Sequence, residues 1–530
     1  MKTTSSGVAS EVTALQALLS ERDLRIAALI QERDRFSARA EHLQEQLNLA
    51  LARRYAARSE VSPDQIRLFD EAEVDAAGDP VAEDVLPVTV VAAHPRIKAG
   101  RRPLPASLPR VLVMHTLPEA ERICPHDGQV LTEIGVVTSE QLELIPAQIR
   151  VLQHQRTQYA CACGQCLKTA PLPAQPIPKS LCAPGLLAHI AVSKYQDALP
   201  LYRQEQILTR IGVDLPRATL ASWMIQAGVL IQPLINLLRD RLLAYDLLQM
   251  DETPVQVLKE PGKTAQSKSY LWVQRGGPPG QPVVLFDYDP GRGAQVPIRL
   301  LEGFKGFLQT DGYDGYNAVV RDLGLTHQGC LAHARRKFDE AIKAQGKHRR
   351  PGLAEEGLKQ IQQLYVVEKA IRTASPEVRH TYRTEHARPL WTTLRHWLES
   401  ARLEVPPQRV LGKALAYLHS EWDKLVVYLE DGRLEIDNNR TENTIRPFVL
   451  GKKNWLFSDS VRGVKASANL YSLIETAKAC GLEPYVYLRR VFTELPQAQT
   501  VDALEALLPG TLPPEPGDLA LPAATAVAQG

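Results

Sequence analysis

Three acidic side chains have the setting that metal-dependent chemistry requires. Asp251 follows the apolar run 247–250, and Asp311 follows the strand-like run 306–310. Glu442 lies further along the chain, about one turn into a predicted helix. Carboxylates suit hard, oxygen-preferring cations such as Mg²⁺ or Mn²⁺. Two such ions about 4 Å apart activate an attacking oxygen and stabilise the leaving one during in-line phosphoryl transfer.

The chain has 60 acidic residues, so these acids are informative through their placement at predicted strand ends rather than through spacing. Asp287, Asp289 and Asp314 lie nearby and compete for the same role. The alternative for each of the three is a loop carboxylate that caps a turn.

The stretch around Glu442 combines an acid with cations and aromatic residues. It opens on Asp437, Asn438 and Asn439, where an asparagine oxygen can cap a helix. Three cations follow, and the strand-like run 454–457 closes the stretch. These cations are Arg446, Lys452 and Lys453. Such a stretch suits a site that holds a metal ion and a polyanion together, although a helix with an ordinary salt bridge and a buried tryptophan would read the same.

Alternation of apolar residues predicts five strands around the first two acids. The predicted strands are 247–258, 269–274, 283–286, 306–310 and 327–331, with helices at 294–302, 318–323 and from His333 onward. This order matches the ribonuclease-H-like fold, which places one acid on the first strand and another just past the fourth. We expect the catalytic core to occupy 247–340 and 433–495, with a helical insertion over 341–432 that either holds DNA or covers the site.

Composition is that of an ordinary globular protein of about two to four domains. Of the 530 residues, 44% are hydrophobic and 23% charged, and the net charge is +2. Nucleic-acid binding therefore depends on local basic patches. Seven cysteines, four of them clustered, favour an intracellular metal or thiol cluster over disulfides. No apolar run of about 18 residues and no signal-peptide pattern is present, so we expect the cytoplasm.

The N-terminal part predicts a coiled coil followed by a linker. Apolar residues fall on a heptad frame over 8–57, which favours self-association over packing against the protein's own body. The segment 58–121 is an acidic linker and then a basic arm containing Arg101 and Arg102. These arginines either lie in a DNA minor groove or belong to a plain basic linker.

A zinc-knuckle-like β module is predicted over 122–170. Its candidate ligands are Cys124, Cys161, Cys163 and Cys166. The last two have the spacing of a zinc knuckle, whereas Asp127 stands where the first knuckle would have its second cysteine. A mixed zinc site and a ribbon that folds without metal are both open.

The segment 180–246 predicts helices with the rhythm of a helix-turn-helix. A plain helical hairpin fits equally well, because few basic residues accompany it. The tail covers 496–530, and from Leu508 onward it is rich in Pro and Ala and predicted to be disordered. The chain is thus a multidomain α+β protein with a ribonuclease-H-like α/β catalytic domain.

Several segments together resemble the transposases of the insertion-sequence 66 family, the large DDE-type protein of those bacterial elements. They are MDETPVQVL, QTDGYDGYN, GCLAHARRKFDEA, IDNNRTENTIRPFVLGKKNWLFS, YSLIETAKACGLEPYVYL, CPHDG, SEQLELIPAQIRVLQHQRTQYAC and GRRPLPASLPR. They cover most of residues 95–495. The resemblance is more specific than an Asp/Asp/Glu trio, although the first knuckle departs from the family's complete Cys-x-x-Cys.

The resemblance implies roles for individual residues. Asp251, Asp311 and Glu442 would bind two Mg²⁺ or Mn²⁺ ions, and His333 would lie near the active site, with Cys330 completing a Cys-x-x-His element. The alternative for that element is a structural histidine beside a packed cysteine. The candidates for contact with the DNA backbone are Arg335, Arg336, Arg446, Lys452 and Lys453.

The implied function is a transposase that binds the terminal inverted repeats of its element, cleaves DNA and joins it to target DNA. A homo-oligomer, two small accessory proteins of the same element, and a bacterial, nucleoid-associated location are also implied. One alternative is a catalytically silent DNA-binding regulator derived from a transposase. A structure-directed nuclease of the same fold is another.

Overall fold

The computed structural model describes residues 5–55, 149–160, 167–346 and 352–512. The chain divides into a larger unit, 1–60 with 174–517, and a smaller one, 61–173 with 518–530. The predicted linker and basic arm, including Arg101 and Arg102, lie outside the described residues. So do the four candidate zinc ligands Cys124, Cys161, Cys163 and Cys166.

In the smaller unit, strands β1 (Gln158–Ala160) and β2 (Leu167–Thr169) pair antiparallel. They flank the segment 161–166, which contains three of the candidate zinc ligands. Residues 122–148 of the predicted zinc-knuckle-like module lie outside the described residues.

The larger unit is built on a six-stranded sheet with the order β5-β4-β3-β6-β7 and with β8 paired to the far end of β3. Strands β3, β4 and β5 are antiparallel, whereas β6 and β7 continue from β3 in parallel. The strands are β3 (Leu247–Lys259), β4 (Lys268–Gly276), β5 (Val283–Asp289), β6 (Phe307–Gln309), β7 (Thr326–Gln328) and β8 (Ser458–Ser460).

Helices surround this sheet and form a separate layer in the insertion. Before the sheet come α1 (Ser5–Tyr55), α2 (Pro184–Tyr195), α3 (Leu201–Arg210), α4 (Arg217–Leu230) and α5 (Gln232–Ala244). Within and after it come α6 (Gln295–Leu300), α7 (Asn317–Leu323), α8 (Leu331–Ala344), α9 (Leu353–Ala370), α10 (Pro376–Tyr382), α11 (Arg388–Glu404), α12 (Val410–Ser420), α13 (Trp422–Leu425), α14 (Asn439–Trp455), α15 (Val461–Ala479), α16 (Pro484–Glu494) and α17 (Val501–Glu505).

Helix α15 covers the outer edge of the sheet. The hydroxyls of Ser472 and Thr476 accept hydrogen bonds from the backbone N–H groups of Phe286 and Val284 on β5. An edge strand otherwise exposes unpaired backbone groups to other chains. The apolar residues of α15 thereby join the strands to helices α2–α5 in one core.

Helix α1 confirms that the N-terminal segment is helical. Its last turns pack on helices α8, α9 and α12 of the same unit. The side chain of Asn48 donates to the carbonyl of Ala344 at 3.0 Å, and Glu45 pairs with Arg409 at 2.8 Å. Leu49 is buried among apolar residues of α8, α9 and α12. Packing against the protein's own body, the less favoured alternative from sequence, therefore holds for the end of α1.

The insertion contains helices α9–α13, as predicted, and a single π-helical turn, Arg383–Ala387. The Arg383 side chain, which is 0% exposed, donates two hydrogen bonds to Glu368. It also donates to the carbonyls of Tyr428, Asp431 and Leu434. One buried cation thus holds the segment that leads from the insertion back toward α14.

The structure corrects two boundaries. The run 454–457 is not strand-like: Asn454 and Trp455 end helix α14, and Leu456 has φ 66°. The tail is ordered further than composition suggested, because Leu507 and Leu508 are buried and a 3-10 turn covers Pro509–Thr511. Residues 513–530 lie outside the described residues.

Among the described helices, none alone is long and apolar enough to cross a bilayer. The bent pair α4 and α5 passes that test by length and composition together.

We predict that Arg383→Met destabilises the protein by about 3–5 kcal/mol, since it leaves the Glu368 carboxylate without its buried partner. Thermal and urea unfolding of the full chain measure this. Arg395→Met is the matched control, because Arg395 pairs with Glu399 at 2.9 Å on the surface and such pairs contribute about 0–1 kcal/mol. Equal losses of stability in the two variants would show that the buried contacts of Arg383 contribute no more than a surface ion pair.

Candidate active site

Strand register brings the first two acids to one side of the sheet. Gln249 on β3 pairs with Gln309 on the parallel neighbour β6. Asp251 and Asp311 each come two residues later. Side chains two apart along a strand point to the same face, and neighbouring strands lie about 4.8 Å apart. Asp251 therefore shares the face of Gln249 on β3, whereas Asp311 lies two residues past the end of β6.

Strand β3 is uncovered on one side where Asp251 lies. The pairing with β6 ends at Gln249, and the pairing with β8 begins only at Val257. Helix α14 contacts β3 within this interval: Asn438 Nδ2 donates to the carbonyl of Met250 at 3.0 Å, and Lys452 Nζ to that of Pro254 at 2.7 Å. The gap in the sheet admits the helix that carries the third acid.

The start of α14 is capped differently from the prediction. Asn438 is the N-cap residue, but its side chain makes no cap hydrogen bond: Nδ2 donates to Met250, and Oδ1, the atom that could accept from the helix, has no partner within the described residues. Asp437 instead accepts from the backbone N–H of Asn439 at 3.1 Å. Glu442 lies in the first helical turn, where the helix dipole favours a negative charge.

Glu442 faces two groups of helix α8. Its Oε1 lies 3.7 Å from His333 Nε2, and its Oε2 lies 3.5 Å from Arg336. Oε1 is buried and forms no hydrogen bond within the described part of the chain. The carboxylate is therefore held only loosely and keeps coordinating capacity for another partner.

The acids repel one another. The pKa of Asp251 lies well above its usual value, first because the side chain is buried and then because Glu252, Asp311 and Glu442 add negative charge. Charges that act on one another in this way lie close together. A divalent cation removes this cost, so the donor set fits the hard cations that its chemistry predicts.

A second buried carboxylate, Glu252, lies beside Asp251 and was missed from sequence. It is fully partnered: Arg292 donates to Oε1, and Tyr316 donates to Oε2 at 2.5 Å. Arg292 also stacks on the ring of Tyr313, at 3.8 Å from its centroid. Both oxygens of Glu252 are thus occupied by protein donors, whereas Oε1 of Glu442 has no hydrogen-bond partner within the described residues. The adjacency of two acids in sequence was visible, but the partners that separate their roles are distant in the chain.

The Cys-x-x-His element lies at the start of α8. Burial lowers the pKa of His333, which favours the neutral imidazole, and raises the pKa of the Cys330 thiol to about 12. Cys330 Sγ accepts from the backbone N–H of Asn438 at 3.3 Å. Ligand atoms of Cys330, His333 and Glu442 all lie within 4.8 Å of one another. The cysteine therefore joins α8 to the start of α14, and the histidine faces the third acid.

The three competing aspartates have other partners. Asp287 pairs with Arg239 at 2.7 Å, and Asp289 with Arg299 at 2.9 Å. Asp314 accepts from the side chain of Asn317 at 3.2 Å. Asp289 also accepts from the backbone N–H of Gly291 at 2.8 Å, as the turn-capping alternative proposed, whereas Asp287 lies within β5 and pairs with a residue of α5.

The predicted DNA-contacting cations fall on α8 and α14. Arg335 stacks on Tyr365, and Arg336 lies beside Glu442. On α14, Arg446 is half-buried and Lys453 exposed, while Lys452 reaches the backbone of β3. Arg335 and Arg336 lie in the first half of α8, whereas Lys452 and Lys453 lie in the last turn of α14.

Converging carboxylates flanked by two cationic helices define a protein that handles cations together with a polyanionic substrate. Family comparisons agree: the model described as "Transposase IS66 family" matches residues 179–466. The chain belongs to this family of transposases. It is accordingly a DNA-cleaving and strand-transfer enzyme with DNA as its partner, and its family implies the use of divalent metal.

Three further models match other parts of the chain. They are the IS66 C-terminal element at residues 472–509, the zinc-finger binding domain of transposase IS66 at 121–164, and the region described as "Transposase C of IS166 homeodomain" at 42–113. The zinc-finger match supports zinc binding by the module that contains the clustered cysteines.

Relatives extend over most of the chain. The protein y4jD of Sinorhizobium fredii is 35% identical over 425 residues, which is 77% of this chain and 81% of that protein. The protein y4qI of the same organism is 32% identical over 410 residues, 75% of each chain. A third, y4hP, is 28% identical over 503 residues, 92% of this chain and 88% of its own length.

We predict that Asp251→Asn stabilises the metal-free protein by about 0.5–2 kcal/mol, the range of a substitution that relieves a strained active site. The folded-state pKa of Asp251 is raised, so stability falls as pH rises through that pKa. The neutral amide removes this loss at neutral pH. Thermal unfolding with and without Mg²⁺ measures it, and Mg²⁺ should raise the Tm of the wild type more than that of the variant.

The control is Asp423→Asn, an exposed acid on α13. It should leave both Tm values unchanged. A lower Tm for metal-free Asp251→Asn would contradict the repulsion inferred among the acids.

Proposed function

We propose that the protein is a DDE-type transposase whose cleavage and strand-transfer centre consists of Asp251, Asp311 and Glu442. What supports this proposal is where the three acids lie: Asp251 is on β3, Asp311 lies two residues past the end of the parallel neighbour β6, and Glu442 is on the helix that contacts β3 beside Asp251. Burial and the charges of Glu252, Asp311 and Glu442 all raise the pKa of Asp251.

We also propose that the domain is ribonuclease-H-like. Its support is the strand order, with three antiparallel strands followed by two parallel ones on the other side of the first. An acid on the first strand, an acid just past the fourth, and a third on a later helix is the arrangement that the sequence predicted for that fold.

The three carboxylates would hold two Mg²⁺ or Mn²⁺ ions. Bound there, such ions lower the pKa of an attacking water or hydroxyl and stabilise the leaving oxygen. Asp251 and Asp311 would face both ions, and Glu442 would hold one. The buried, unpartnered Oε1 of Glu442 supports its part in this set.

The surrounding side chains position the phosphodiester. His333, with its lowered pKa, is neutral at physiological pH and can accept a hydrogen bond or a proton beside Glu442. Arg335, Arg336, Arg446, Lys452 and Lys453 would neutralise phosphates, which makes DNA affinity fall with salt. Arg101 and Arg102 of the basic arm would add contacts in a minor groove.

Cleavage and strand joining on labelled DNA carrying the element's ends, with Mg²⁺, test the third acid. We expect Glu442→Gln to lower both rates by about 10²-fold or more, because the amide cannot coordinate as the carboxylate does. End binding should persist, since the change removes no cation. The control Glu430→Gln, an exposed acid of the insertion, should behave as the wild type.

Equal activity in Glu442→Gln and the wild type would move the third ligand elsewhere, first to Asp437. Cleavage without joining would favour a structure-directed nuclease. Silence in the wild type with end binding intact would favour the DNA-binding regulator or the need for an accessory protein.

We further propose that α1 mediates self-association. Its predicted heptad face remains exposed before the docked last turns: Ile26, Leu29 and Phe36 are 46%, 56% and 61% exposed. A second copy of the helix would bury this row in a coiled coil.

Sedimentation velocity tests the heptad row. The double substitution Ile26→Asp with Leu29→Asp should convert the oligomer to a monomer, because each charge would be buried in the helix pair. Leu24→Asp is the matched control: Leu24 is 73% exposed but lies off the frame, so its assembly should be unchanged. Equal dissociation of both variants, or a monomeric wild type, would refute the coiled coil.

A further inference from the structure

Three buried glutamines lie side by side across the sheet, and two of them precede Asp251 and Asp311 in the chain. Gln249 on β3, Gln309 on β6 and Gln328 on β7 are in pairwise register, and each is at most 3% exposed. None of the three contributes a charge. A buried amide is costly unless its hydrogen bonds are made, so the row needs a reason.

The glutamines form a chain of hydrogen bonds along this row, which we call the glutamine ladder. Gln249 Nε2 donates to Gln309 Oε1. Gln309 Nε2 donates to the carbonyl of Glu435 at 3.0 Å, and Gln328 Nε2 donates to the same carbonyl. The hydroxyl of Thr441 donates to Gln249 Oε1 at 3.0 Å.

The ladder therefore forms hydrogen bonds with both ends of the segment 435–441, which precedes Glu442. Glu435 lies before the start of α14, and Thr441 is the residue immediately preceding Glu442. Gln249 precedes Asp251 by two residues, and Gln309 precedes Asp311 by two residues. One network of amides thus connects the backbone positions of all three acids.

We propose that the glutamine ladder is a positioning element that sets the placement of Glu442 relative to Asp251 and Asp311, and with it the affinity of the site for divalent cations. The inference rests on the proposed role of the three acids as metal ligands. The glutamines touch no reacting atom; they act through the carboxylates. Their partners are directional, so they specify a geometry that an apolar layer of equal volume would leave free.

The experiment is direct Mn²⁺ binding by the full chain without DNA, with free Mn²⁺ followed by electron paramagnetic resonance. Gln309→Leu keeps the volume and removes bonds to both Gln249 and Glu435. We expect Mn²⁺ affinity to fall by about 10–100-fold, the usual effect of losing an outer partner of a metal ligand.

Gln274→Leu is the matched control. Gln274 is also a buried glutamine, 0% exposed, and lies on β4 in register with Met250, but its side chain donates to Asp287 and makes no hydrogen bond to the ladder or to the segment before Glu442 within the described residues. If Gln309 has a purely structural role, both substitutions should lower Tm, and the two variants should bind Mn²⁺ with the same affinity. The positioning role predicts that only Gln309→Leu weakens binding.

Thr441→Val provides a milder second variant in case Gln309→Leu does not fold. It removes only the hydroxyl that bonds to Gln249, and we expect several-fold weaker Mn²⁺ binding with little change in Tm. Unchanged affinity in Thr441→Val and in any folded Gln309→Leu would overturn the proposal.

Asp251→Asn separates this proposal from the one on which it rests. If Asp251→Asn abolishes Mn²⁺ binding while the ladder variants bind as the wild type does, the ladder proposal fails and the metal centre stands. If the wild type binds no more Mn²⁺ than Asp251→Asn does, both fail.

Discussion

Repulsion among carboxylates is the constraint on which the site depends. The pKa of Asp251 is raised by burial and by three neighbouring acids, of which Glu252 is paired with Arg292 and Tyr316, whereas Glu442 has a longer contact of 3.5 Å with Arg336. The uncompensated charges must be held together by the rest of the fold, because left alone they would move apart. A site with this excess of negative charge is poised for cations, and the flanking helices supply the positive charge that a polyanion needs.

The restraints come from parts of the chain that are far apart in sequence. Pairing between β3 and β6 positions the strand that carries Asp251 and the strand that leads to Asp311. Helix α14 is attached to β3 through Asn438 and to the start of α8 through Cys330. The segment before α14 is held from the insertion as well, where Arg383 donates to the carbonyl of Leu434. The insertion is therefore part of the scaffold that sets the third acid.

Local patterns explain what could be predicted from sequence. Alternating apolar residues located the strands, and Asp311 lies just past the end of β6 as that pattern predicted, whereas Asp251 lies within β3 rather than at its end. The glutamine ladder could not be predicted, because each glutamine is polar, buried and paired only through long-range contacts. The same limit explains the errors: Asn438 looked like a cap but bonds to β3, and Leu508, in a Pro-rich tail, is buried in the core.

A long insertion between the second and third acids is compatible with a fixed site because its ends are tied together. Gly329 donates from its backbone to Lys424, and Leu331 to Ile436, at 3.0 and 3.2 Å. The chain thus leaves the sheet and returns to it at one place. Closing a longer loop costs only about 0.6 kcal/mol per doubling of its length, so the distance along the chain from Asp311 to Glu442 imposes little cost once those ends are joined.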